Sequence, residues 1–162
     1  MTPPDRIAVL NQLFRRLSTS LPVYASQVRL WIGPGEEEAA EMLQRLAADD
    51  QHLAQRLAEV IRRAGGRPAP GVFPPEYTAL HDISARYVLG RVFSARQSDL
   101  AAVRCLTSQL GDAAPERTLL DEIIRTLEAH LQNIECLLAP EGSQPPRSSA
   151  PVQDGGVAHE SR

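Results

Sequence analysis

The sequence predicts an all-α protein: an antiparallel four-helix bundle in up-down-down-up order, with one long crossover between the second and third helices and a disordered C-terminal tail. Three observations carry this. Apolar residues recur at alternating steps of three and four through four long segments, and nowhere at the step of two that marks a strand. Two of the links between segments are short. The third, residues 65–75, reads "GGRPAPGVFPP" and its Gly/Pro content rules out a helix there.

Composition bounds the class. The chain has 162 residues, 43% hydrophobic and 23% charged, which suits one domain with a real core. The expected division is a bundle over residues 1–139 and a tail over 140–162. A net charge of −3 with scattered arginines leaves no footprint for nucleic acid, and an aromatic share of 4% removes a base-stacking platform. No apolar run approaches the roughly 18 residues of a membrane span. The start "MTPPDRIAVL" has neither the basic lead nor the apolar stretch of a signal peptide, so the cytoplasm is expected. The two cysteines lack CxxC spacing, which argues against a disulfide scaffold or a zinc knuckle.

The elements follow in order. In "IAVLNQLFRRLSTSLPVYASQVRLWI", Ile7, Leu10, Phe14, Leu17, Leu21, Tyr24, Val28 and Trp31 form one seam, predicting a single helix A that ends at "GPG", residues 33–35. Thr2 and Asp5 make a capping-box-like start with Pro3 in the first turn. Pro22 is expected to kink helix A by removing a bond to the Ser18 carbonyl. Helix B runs from Glu36, whose acidic run to Glu38 suits the positive end of a helix dipole, to Ala64. Helix C is expected from about Glu76 to Leu110. After the turn "GDAAPE", helix D runs to about Leu138. The tail has no apolar periodicity.

Link lengths set the topology. The short A–B and C–D turns make each pair an antiparallel hairpin. Eleven residues of crossover span at most about 36 Å at ~3.3 Å each. A helix of ~27 residues is about 40 Å long at ~1.5 Å rise. An extended, proline-rich link nearly covers that length, hence up-down-down-up; the alternative is a plain up-down-up-down bundle with an oversized loop.

This connectivity, over roughly residues 5–138, resembles that of the ferritin-like superfamily. More narrowly, "SLPVY…W", "DDQ…LA.RL.E.I…GG.P..G.FP", "YTALHDIS" and "RC" resemble a group of uncharacterised bacterial ferritin-like proteins. The resemblance implies a place for a di-iron centre of carboxylates and Glu-x-x-His pairs on the inner faces of the helices. This chain's version is degenerate. In helix B the seam Ala39, Leu43, Leu46, Asp50, Leu53, Leu57, Val60 and Ala64 makes Asp50 the inward acid and leaves Asp49 on the flank and His52 in solvent. Where a family histidine would stand, three residues on, is Leu53. In helix D, His130 lies at the edge of the stripe, and three residues before it is Leu127. Helix A has Leu17 near the level of the family acid.

Helix C is read with a seam of His81, Ala85, Val88, Val92, Ala95, Asp99, Ala102 and Leu106, which makes Asp99 a second core acid. Counting ~1.5 Å per residue puts Asp50 and Asp99 near one height, with Tyr24 and His130 about 9 Å higher. One polar group per helix, namely Tyr24, Asp50, Asp99 and His130, is therefore the candidate cluster. Two buried carboxylates must be paired, share a proton or bind metal. Pairing with His130 or Arg91 is one reading. A metal site for iron, manganese or zinc is another, and a small-ligand pocket is a third. His81 and Asp82, near Trp31, are expected to pack or cap the entrance of helix C.

Two functions remain. One is a helical scaffold or interaction module without a standard di-iron centre. The other is a divergent non-haem metal-binding protein with redox or metal-handling activity. No nucleophile–base pattern, phosphate loop or redox CxxC points to another enzyme class. Leu89, Phe93 and Leu100, assigned to the outer side of helix C, form an apolar strip that a homodimer would cover. Cys105, close to the assumed seam, is expected to be buried, and Cys136 to be the reactive thiol.

Overall fold

The computed structural model describes residues 2–111 and 115–139. These form five α-helices: α1 (Pro3–Ser18), α2 (Leu21–Ala25), α3 (Glu37–Arg63), α4 (Ala85–Leu110) and α5 (Arg117–Leu138), with a 3-10 turn at Pro75–Leu80 in the crossover. Among the described residues the only β-type pairing is one bridge between Trp31 and Ser84. The tail expected over 140–162 and the centre of the "GDAAPE" turn lie outside the described residues.

α1 begins as its sequence dictates. The Thr2 side chain accepts from the Asp5 amide, and the Asp5 carboxylate accepts from the Thr2 amide, so two amides that the helix itself leaves unpaired are satisfied reciprocally. The expected unbroken helix A is corrected. α1 stops at Ser18, and Ser20 starts α2 by accepting from the Val23 amide at 3.5 Å. Pro22 falls in the first turn of this new helix, where its missing N–H is no loss. It therefore opens α2 rather than kinking a longer helix. The chain leaves helical geometry after Ala25, so Trp31, expected on the inner seam, is 56% exposed.

α3 matches the reading closely and closes on the "GG" pair. Gly66 N–H donates to the Ile61 carbonyl at 2.9 Å and Gly65 N–H to the Arg62 carbonyl at 3.0 Å, with Gly65 at φ 79. This is the paired-bond terminus that a left-handed residue permits. Asn11, buried in α1, then pins the crossover through the Arg67 carbonyl (3.1 Å) and the Ala69 amide (2.8 Å). Helix C starts later than expected. The segment from Glu76 takes the tighter 3-10 form and breaks at His81–Ile83, and Ser84 caps α4 by accepting from the Tyr87 amide at 3.3 Å.

Side-chain pairs give the helix directions. Glu36 meets Ser84 at the starts of α3 and α4, and Asp50 meets Arg96 farther along both, so these helices are parallel. Asp49 meets His130 and Arg56 meets Glu122, so α3 and α5 are antiparallel. Arg16 meets Asp99, near the end of α1 and the middle of α4, while Arg6 meets Glu116 at the starts of α1 and α5. The order is up-down-down-up, the one expected from the crossover length over the plain up-down-up-down alternative.

The apolar core falls into two clusters. One, around Leu13, Leu17, Leu53, Leu57, Leu100 and Leu127, fills the half towards the end of α3. The other, around Leu21, Leu43, Leu46, Val88, Val92 and Ile134, fills the half towards its start.

α4 is rotated from its expected seam. After Val92 the buried track runs through Arg96, Leu100, Val103 and Thr107, not Ala95, Asp99 and Ala102. Leu89 and Leu100 are therefore core residues, and Phe93 is half-buried against the core. Of the strip on which a homodimer was expected, Leu89 and Leu100 are covered by the chain itself and Phe93 in part. The same rotation carries Cys105 outward, and both Cys105 and Cys136 are exposed free thiols; the expected burial of Cys105 is corrected.

Candidate functional site

A polar layer separates the two apolar clusters, and all four arms of the bundle contribute to it. Ser20 stands between Leu17 and Leu21, Asp50 between Leu46 and Leu53, Arg96 between Val92 and Leu100, and His130 between Leu127 and Ile134; in each case one flanking residue belongs to each cluster. Ser20, Asp50, Arg96 and His130 are all buried, with Asp50 at 0% and Arg96 at 1% exposure.

The layer is organised around Asp50. Its Oδ2 accepts from Ser20 Oγ at 2.5 Å and from Arg96 Nη2. Ser20 thus serves twice, as the cap of α2 and as a donor to the core acid. The break in helix A is what places its hydroxyl there. Arg96 also faces Asp99, with Nη1 3.8 Å from Asp99 Oδ2. Asp99 Oδ1 accepts from Arg16 Nη1 at 3.1 Å at the rim of the bundle, where Asp99 is 20% exposed. The two acids read from the sequence therefore do belong to one network, but the guanidinium of Arg96 lies between them. Arg91, the arginine expected to pair with them, is exposed.

On the other flank, His130 Nε2 donates to Asp49 Oδ2 at 3.0 Å. Asp49 is half-exposed and lines an open groove of about 390 Å³ together with Glu122 and Arg125. His52 points to solvent, as the helical periodicity of α3 requires. Burial, and after it the Arg96 guanidinium, hold the His130 imidazole below its ordinary value, against the opposing pull of the Asp49 hydrogen bond and the Asp50 and Asp49 charges. Burial likewise pushes the Asp99 carboxyl above the usual range, although Arg96 and Arg16 pull it down.

Tyr24 is the member of the expected cluster that stands elsewhere. Its hydroxyl is 3.2 Å from His81 Nε2, and its ring packs among Phe73, Tyr77 and His81, with centroids 5.3 Å from Phe73 and 5.5 Å from Tyr77. Burial raises the Tyr77 phenol, as does the nearby Asp99 charge. Asp82 ties the entrance of α4 to the α2–α3 link: its amide donates to the Arg29 carbonyl and its carboxylate pairs with Arg29 Nε at 2.8 Å.

Arg96 and Ser20 are the members that sequence reading missed. The seam read through Ala95 and Asp99 passed Arg96 by one position, on the neighbouring track of α4. The usable signal was Leu89 and Leu100, two leucines left outside the assumed seam, which the track through Arg96 takes into the core. Ser20 was signalled by the pair Ser-x-Pro, the pattern of a cap followed by a first-turn proline.

Among the described residues, no group of three or more His, Cys, Asp or Glu side chains is placed to hold a metal ion. No helix of the described chain is long and apolar enough to cross a membrane.

No protein-family model matches the chain, and no curated protein does. Among solved structures, the chain is similar to a two-domain protein from Anabaena variabilis that contains DJ-1/ThiJ/PfpI-like and ferritin-like domains. The TM-score is 0.65 at 17% identity, over 93% of this chain and 42% of the other. The chain thus spans less than half of that protein's length. Its polar layer, its two apolar clusters and its single long crossover are carried on a ferritin-like fold.

Proposed function

We propose that this protein is a helical scaffold or interaction module on a ferritin-like fold, in which a buried arginine–carboxylate pair occupies the level at which the ferritin-like resemblance leads one to expect a metal centre. The observation that carries this reading is Arg96, a permanent cation at 1% exposure, hydrogen-bonded to the core acid Asp50. A resident metal ion needs carboxylate and imidazole lone pairs without a competing positive charge. Here Asp50 Oδ2 is committed to Arg96 and Ser20 and the outer nitrogen of His130 to Asp49, and the lone pairs that remain on Asp50 and His130 face the repulsion that the Arg96 cation would exert on a metal ion. This donor set does not fit a metal centre. The similar structure joins a ferritin-like domain to a second domain, which supports the use of such a bundle as one part of a larger assembly.

The test is metal analysis of the full chain purified without chelator or nickel column, paired with thermal melts in the presence and absence of added iron, manganese or zinc. The expected result is well under one metal per chain and no metal-dependent change in melting. Stoichiometric iron, manganese or zinc that is lost in Asp50→Asn and His130→Gln would overturn the scaffold reading in favour of a divergent metal-handling protein.

A further inference from the structure

Four atoms of the polar layer are buried without a hydrogen-bond partner in the protein: Asp50 Oδ1, Arg96 Nε, Arg96 Nη1 and His130 Nδ1. An unmet polar atom in the interior is costly, so four in one layer demand an account. Their parent groups are neighbours in the layer, since the charges of Asp50 and Arg96 both act on the His130 ring. His130 is bonded to Asp49, the residue before Asp50, and Asp50 is bonded to Arg96.

Their chemistry is complementary. The carboxylate of Asp49 can only accept, so His130 Nε2 carries the hydrogen, and in the neutral imidazole Nδ1 is then an acceptor. Asp50 Oδ1 is a second acceptor. Arg96 Nε and Nη1 are donors. The layer thus offers two acceptors and a donor group to a third party. Charge narrows what that party is. A cation would sit against the Arg96 guanidinium and an anion against the Asp50 carboxylate, so a neutral molecule fits. Apolar guests satisfy none of the four atoms.

We infer that the polar layer of this bundle holds an internal water molecule, which donates to Asp50 Oδ1 and His130 Nδ1 and accepts from the Arg96 guanidinium. Three hydrogen bonds are the usual complement of a buried water. The water completes a chain of hydrogen bonds from the groove at Asp49, through the imidazole of His130, to the core pair. The inference rests on the reading of this layer as an ion pair rather than a metal centre.

The test uses the full wild-type chain in two measurements. The first is a crystal structure at a resolution that orders water, with anomalous data at the iron, manganese and zinc edges. A peak within hydrogen-bond distance of both Asp50 Oδ1 and His130 Nδ1, without anomalous signal, is the expected result. An anomalous peak there would overturn both this inference and the scaffold reading. Asp50 Oδ1 and His130 Nδ1 found closed onto protein donors, with no peak, would overturn the water alone. The second is nitrogen NMR of His130 at neutral pH. The inference requires the Nε2–H tautomer with Nδ1 shifted as a hydrogen-bonded acceptor; an Nδ1–H tautomer would overturn it.

Discussion

Asp50 of α3 and Arg96 of α4 form an ion pair at the mid-height of the bundle, each with almost no exposure to solvent. Both charges lost their hydration on folding, and each now depends on the other. Removing one partner therefore leaves an uncompensated buried charge. Asp50→Ala is expected to cost about 3–5 kcal/mol, and Arg96→Ala a similar amount with added loss of packing. The double variant Asp50→Leu/Arg96→Met, which replaces the pair with apolar side chains, is expected to recover most of the loss. Urea unfolding of the four proteins checks this. A double variant no more stable than the single ones would show that the pair holds the bundle by more than charge neutralisation.

His130 gives the protein an acid-sensitive element. Its folded value lies below the ordinary 6.5 because burial and Arg96 disfavour the imidazolium. The unfolded chain then binds the proton more readily than the folded one. The stabilisation from keeping the ring neutral is complete above about pH 6.5 and is lost as pH falls from there through the folded value. The slope for one group is at most about 1.4 kcal/mol per pH unit. Asp99 acts with the opposite sign at lower pH, since its carboxyl is raised, so the comparison with His130→Gln isolates the histidine. Stability measured by urea titration from pH 7.5 to 5.5 should fall more in the wild type than in the variant. Parallel pH profiles would exclude this role for His130.

Gly65 terminates α3 with a positive φ of 79 and has no atom near the position of an added Cβ. The effect of Gly65→Ala is therefore conformational and not steric. A cost of roughly 1–2 kcal/mol is expected, with a smaller one for Gly65→Asn, which tolerates the left-handed region better. Thermal melts of the two variants distinguish this from crowding, which would penalise the larger asparagine more.

Both thiols should titrate in the native protein. Cys105 and Cys136 are exposed and unbridged on α4 and α5. A thiol reagent should label two groups per chain before any unfolding, and mass spectrometry should find no intramolecular bridge. A native chain that labels only once would mean that α4 keeps the rotation first read from its sequence.

Link lengths made the helix directions and the long crossover legible, and periodicity the inward turn of Asp50, because α3 and α5 each carry one unambiguous apolar stripe. α4 does not. Its apolar residues admit two tracks that diverge after Val92, one through Ala95 and Asp99 and one through Arg96 and Leu100, and counting cannot choose between a small-residue track and one containing arginine. The choice is made by packing: the larger leucines fill the core, and Asp50 supplies the counterion that lets Arg96 enter with them. The layer's membership depended on that choice. Tyr24 was misplaced for a related reason. Its step on the α1 seam assumed a helix that in fact breaks at Thr19 and Ser20, and the break turns Ser20 rather than Tyr24 towards Asp50.

The order of the helices has a consequence for anything joined to this domain. α1 starts beside Glu116, at the pole where α5 begins, while the last turn of α5 lies at the other pole, where Arg86 reaches the Leu138 carbonyl at 3.3 Å. Entry and exit of the chain are thus separated by the length of α5, 22 residues or about 33 Å at ~1.5 Å rise. An up-down-up-down bundle would return both ends to one pole. This one is a strut with a defined polarity, and segments attached before α1 and after α5 are held apart by a rigid rod rather than brought together.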